Sequence, residues 1–154
     1  MENKVDVSLT QESQTQVVEA ITGVKNLMPF LTKLSKKESK ALQKLSDGRK
    51  PFVEKGLYYG ANNTELNPGT SILEASNRDF SLYSFLSSVE QELLQLVEMV
   101  RDTKQLAGAE AYTVARYIYS VAKMKLNLGI PGMQTIVDDL GKLFEQSPGV
   151  TAEE

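Results

Sequence analysis

Apolar residues along the chain recur every three or four positions, and no run alternates apolar with polar residues as a half-buried strand would. Val17, Val18, Ile21, Val24, Leu27 and Met28 predict a first helix over about 10–28, with Ser8 or Thr10 as its N-cap. Pro29 ends it, because the ring lacks an N–H and clashes with the preceding turn. Ser35 and Glu38 stand at capping-box spacing and open a second, shorter helix that carries Ala41, Leu42 and Leu45 inward. Gly48 is placed to end it in the left-handed conformation. Pro51 starts a third helix, with Phe52, Val53, Gly56 and Leu57 on its inner edge. The stretch GANNTELNPGTS reads as the longest loop.

A fourth helix follows over about 77–104, with Phe80, Tyr83, Leu86, Val89, Leu93, Leu96, Val97 and Val100 in one stripe. The run AGAEAYTVARYIYSVAKMKLNLG, residues 107–129, is the fifth. As a single straight rod, the 52 residues from 77 to 128 would reach roughly 78 Å, about twice the width of a compact domain this size. A turn is therefore expected, and Gly108 is its best position. The GIPG segment at 129–132 breaks the chain, and Ile136, Val137, Leu140, Leu143 and Phe144 share a face of a sixth helix. These elements predict an all-α fold: a single-domain antiparallel helical bundle of four to five main helices with one or two short extra helices. The bundle spans 10–146, between a flexible N-terminus at 1–9 and a flexible tail at 147–154.

The fifth helix has two apolar faces. At 100° per residue, Gly108, Ala111, Tyr112, Ala115, Tyr119, Ala122 and Leu126 share one broad face, where small side chains admit a neighbouring backbone. Val114, Tyr117, Val121, Met124 and Leu128 form a second face, roughly opposite. A helix apolar over most of its circumference is either central in its domain or shared with a partner. Packing within the bundle accounts for the first face. The second is either core or the surface on which a homo-oligomer or a helical protein partner docks, since Tyr and Met are enriched in interface cores. A ligand pocket lined by the tyrosines is the lesser alternative.

Composition narrows the chemistry. The chain has 154 residues, 41% apolar and 24% charged, which suits one soluble domain with a core of its own. It has no cysteine, so disulfides, thiolate nucleophiles and thiolate metal sites are absent. It has no histidine either, which removes the commonest general base and excludes the usual Glu-x-x-His di-iron site of helical bundles. No phosphate-cradling glycine loop and no G-x-S-x-G elbow occurs. The opening MENKVDVSLTQESQTQ lacks the basic-then-apolar order of a signal peptide, and no stretch approaches a membrane span, so a cytoplasmic protein is expected.

Two charged groups remain as alternatives. Glu90, Glu98, Asp102 and Glu110 could hold Mg²⁺ through oxygen ligands, as an enzyme or sensor would require, but acids on a helix at such spacing more often solvate its outer side. Asp138 and Asp139 are accounted for by the dipole at a helix start. Net charge is −3, yet residues 25–55 carry nine Lys or Arg against three acids, while residues from 76 onward carry seven against eleven. The segment 33–50 could therefore meet a polyanion, nucleic acid or membrane surface, through Lys33, Lys36, Lys37, Lys40 and Lys44. The negative whole-chain charge and the lack of interleaved aromatics favour a solvated face instead.

The segments FVEKGLYY (52–59), NP (67–68), AGAEAY (107–112) and GIPG (129–132) resemble a family of short, uncharacterised, all-helical bacterial proteins over about residues 27–145. That resemblance implies a helical fold and a bacterial source, and no activity. The function expected is non-catalytic protein association (self-assembly, adaptor or structural subunit) with no cofactor.

Overall fold

A computed structural model describes residues 4–146, and among them every regular element is helical. The chain divides into two units: Val7–Leu96, and residues 97–146 together with 4–6. The expected tail at 147–154 lies outside the described residues, as do residues 1–3 of the expected flexible N-terminus.

In the first unit, α1 (Gln11–Asn26) starts as its cap predicts, with Thr10 Oγ1 accepting a hydrogen bond from the Ser13 amide at 3.1 Å. It ends ahead of Pro29. Its apolar stripe stays open: Val17, Ile21 and Leu27 are exposed, and only Met28, just beyond the helix, is buried. The capping box at Ser35 forms in full, with the Glu38 amide donating to Ser35 Oγ and the Ser35 amide donating to Glu38 Oε2. Hydrogen bonding to the Glu38 carboxyl, from the Ser35 hydroxyl first and the Ser35 amide second, holds it below its usual range.

The helix that follows is shorter than expected: α2 is only Lys36–Ala41, and Leu42 is already extended. Gly48 does not end it; it sits in a separate 3₁₀ turn, Asp47–Arg49, and is not left-handed. The glycine signal marks a turn correctly, but the chain leaves the helix five residues sooner, where Leu42 gains no burial to hold it.

Helix α3 (Lys50–Asn62) carries Pro51 in its first turn as predicted. Of its expected inner edge, Val53 and Leu57 are half-buried while Phe52 is exposed. Its buried position is Gly60, where a Cβ would stand 3.3 Å from Leu73 Cδ2, and Leu73 is buried in turn. Nearby, the Tyr83 hydroxyl donates to the Leu45 carbonyl at 2.8 Å, and the Lys50 ammonium lies 5.3 Å from the Tyr83 ring centre. Lys50 also pairs with Asp47 at 2.8 Å, and that hydrogen bond raises its pKa.

The expected long loop is compact. A 3₁₀ turn, Thr64–Leu66, is followed by an Asx turn in which the Gly69 amide donates to Asn67 Oδ1 at 2.7 Å. Gly69 takes φ +119°, open only to glycine, and its carbonyl accepts from Ile72 and Leu73 to launch the next helix.

That helix corrects the sequence reading most. Helix α4 runs from Thr70 to Asn127 without interruption, so the expected fourth and fifth helices are one and Gly108 is not a turn. Glycine inside a helix costs only about 1 kcal/mol against alanine, and Ala107, Ala109 and Ala111 around it are the strongest helix formers. The inference of a turn rested on a compact domain with a core of its own. The described residues instead bury just three hydrophobic side chains, Met28, Leu73 and Ala122. The apolar stripe of α4 is half-buried at Phe80, Tyr83, Leu86 and Val89, but residues 90–106 are exposed on every side.

In the second unit α4 ends in a Schellman motif. Gly129 adopts φ +75°, its amide donates to the Leu126 carbonyl, and the Ile130 amide donates to that of Lys125. After Gly132, α5 (Met133–Gln146) begins. At the other end of the chain, the Lys4 amide donates to Glu110 Oε1 at 2.7 Å.

Candidate association surface

The C-terminal quarter of α4 and the helix after it settle which residues are covered. Tyr119 and Phe144 stack at a tilt with ring centres 6.3 Å apart, and Gly141 brings α5 close enough that an added Cβ would stand 3.1 Å from the Tyr119 hydroxyl. Ala122 is buried and Leu126 half-buried in the same region. Tyr119, Ala122 and Leu126 are three and four residues apart, one stripe of α4, and α5 meets that stripe.

This is part of the first face, the one expected to pack closely. The rest of it does not: Ala111, Tyr112 and Ala115 are exposed, and among the described residues no neighbour lies within 4 Å of where a Cβ on Gly108 would stand. The small residues permit close packing, but α5 is only 14 residues long and reaches back no further than Tyr119 among the contacts seen.

The second face lies about 150° around the helix from the covered stripe, counting 100° per residue. Tyr117 is 69% exposed and Leu128 71%; Val114 and Met124 are exposed over half their surface and Val121 is half-buried. These five residues are spaced 3, 4, 3 and 4 apart, the rhythm of a coiled-coil seam. Counting back, the same rhythm reaches Glu110, the carboxylate that accepts from the Lys4 amide. Ile118 and Lys125 flank the seam on one side, and Ser120 on the other. Neither Ile118 nor Lys125 stood out in the sequence, because they gain meaning only once the covered stripe is known.

The alternative sites fare differently. No three acidic residues gather closely enough to hold a metal ion among the described residues, so Glu90, Glu98, Asp102 and Glu110 are not brought together. The lysines of 33–50 do not share one helical face: Lys33 precedes α2 and Lys44 follows it. Lys50 is engaged by Asp47 and Tyr83. Shallow depressions lined by tyrosines include two among the described residues. One, of about 400 Å³, is lined by Pro51, Glu54, Lys55, Tyr58 and Tyr59. The other, of about 240 Å³, lies between Arg116, Tyr119, Ser120, Lys123 and Phe144, where the Lys123 ammonium sits 4.3 Å from the Tyr119 ring centre. The smaller is below the usual size of ligand sites, and the larger is walled by the exposed rings of Tyr58 and Tyr59.

No helix of the described residues is long and apolar enough to cross a membrane. Comparison with protein-family profiles, curated proteins and solved structures finds no match to this chain.

Proposed function

We propose that this chain is a non-catalytic, cytoplasmic protein that works by associating with other helices, through the face formed by Val114, Tyr117, Val121, Met124 and Leu128. One observation carries the reading. The unit containing this face has a helix, α5, that covers the opposite side of α4 and leaves the seam open. Exposed apolar surface is unfavourable by about 25 cal/mol per Å², and a contiguous stripe of it on a soluble protein marks an interaction surface. The antiparallel helical bundle expected from the sequence is then completed between chains: self-assembly, or assembly as an adaptor or structural subunit, supplies the layers that one copy lacks.

Light scattering at low micromolar concentration tests the proposal. The wild-type chain is expected to exceed its monomer mass of 17.0 kDa, and Tyr117→Glu or Met124→Glu to return it to the monomer while keeping its helical signal. A strict monomer, unchanged by either substitution, would remove self-assembly and leave only a different protein as partner. Loss of helical signal in both variants would mean that the face is core.

A further inference from the structure

Resting on that reading, we infer that the occupant of the face is a second copy of this chain, with the two α4 segments antiparallel and centred near Tyr119. Charge and layer size along the seam set the pairing. In a parallel, in-register pair every seam residue meets itself, and Glu110 would face Glu110 of the second copy, two carboxylates side by side between apolar layers. Reversing one helix removes that clash. Val114 then packs against Met124 of the second copy, Tyr117 against its Val121, and the same two layers recur by symmetry on the other side of the axis. Each layer pairs a β-branched residue with a longer or larger one, so the widths match. Leu128 covers the stem of the opposing Glu110. Lys125, on the flank of the seam, falls beside Ala111 of the second copy, one residue from that Glu110 and within reach of its carboxylate.

Among the seam residues Val114, Tyr117, Met124 and Leu128 are exposed, while Val121 and Glu110 are half-buried. Helix α5 occupies the stripe of Tyr119, Ala122 and Leu126, about 150° away, so two copies can meet seam to seam with both α5 helices outside. The chain's own Lys4 amide bond to Glu110 uses one carboxylate oxygen and leaves the other for Lys125.

Because the chain has no cysteine, the register can be read directly. Val114→Cys and Met124→Cys are made in separate full-length chains, with mild oxidation by oxidised glutathione. A disulfide needs Cα atoms within about 7 Å, so only residues in one layer can join. The expected result is a cross-linked dimer when the two variants are mixed and none from either alone. Cross-linking of each variant with itself would overturn the antiparallel register while the association reading survives. No cross-link in a chain that light scattering finds monomeric at tens of micromolar would overturn the second copy, leaving association to a different partner. No cross-link in a dimeric chain would show that the copies meet elsewhere. As a second readout, Lys125→Glu is expected to weaken the dimer at least tenfold, and an unchanged dissociation constant would count against the antiparallel contact.

Discussion

Two stretches of α4 use the same vocabulary of residues and end in different states. Between Leu73 and Val89, apolar and aromatic side chains lie against preceding segments of the chain: Leu73 meets Gly60 of α3, and Tyr83 reaches the Leu45 carbonyl. Between Val114 and Leu128, a stripe of the same spacing stays exposed at every position but the half-buried Val121, although α5 covers the far side. Periodicity therefore identifies the apolar stripes of a helix but not their cover. Cover is supplied by separate elements whose length and placement follow other rules, and a stripe left over becomes surface for a partner.

The comparison predicts that equal truncations in the two stretches have unequal consequences. Leu73→Ala removes a buried side chain and should cost about 2–3 kcal/mol in chemical denaturation. A loss below half a kcal/mol would mean that the first stretch is no better anchored than the second. Tyr83→Phe deletes one hydrogen bond to a backbone carbonyl, and a loss of about 1 kcal/mol is expected by the same measurement. Gly129→Ala forces a Cβ into the left-handed conformation that closes α4, again for about 1 kcal/mol, although no contact is disturbed. Tyr117→Ala should stay within about 0.5 kcal/mol in dilute solution, where an exposed ring contributes little. Its effect should appear only as protein concentration rises, as a lower Tm than wild type, because association stabilises the folded chain by mass action.

A smaller effect concerns the capping box. The folded carboxyl of Glu38 titrates below its unfolded range, so its support of α2 is present above the ordinary carboxylate pKa. That support is lost as pH falls through the lowered value. Amide exchange at Glu38 and Ser39 should accelerate over that acid range, and Ser35→Ala should abolish the pH dependence. The smallest expectation is for millimolar Mg²⁺, which should leave Tm unmoved.

Much of the local structure was legible from sequence. Thr10, the Ser35–Glu38 box, Pro51 and the GIPG break each act through neighbours within five residues, so they can be read from spacing alone. The all-helical class followed from periodicity in the same way. No local signal turns the chain at Gly108, and alanines on both sides carry the helix through. The two faces of residues 107–128 were also legible. Their fates were not, since the choice of covered stripe depends on Gly141 and Phe144 arriving at Tyr119 from α5. Only with that stripe assigned do Ile118 and Lys125 become flanks of a seam.

Sedimentation equilibrium of the full chain from one to fifty micromolar tests the exposed face of α4 most directly. The prediction is a reversible dimer for the wild type and a folded monomer for Tyr117→Glu across the whole range. A wild-type chain that stays monomeric at every concentration, or a Tyr117→Glu chain that dimerises as well as wild type, would contradict it.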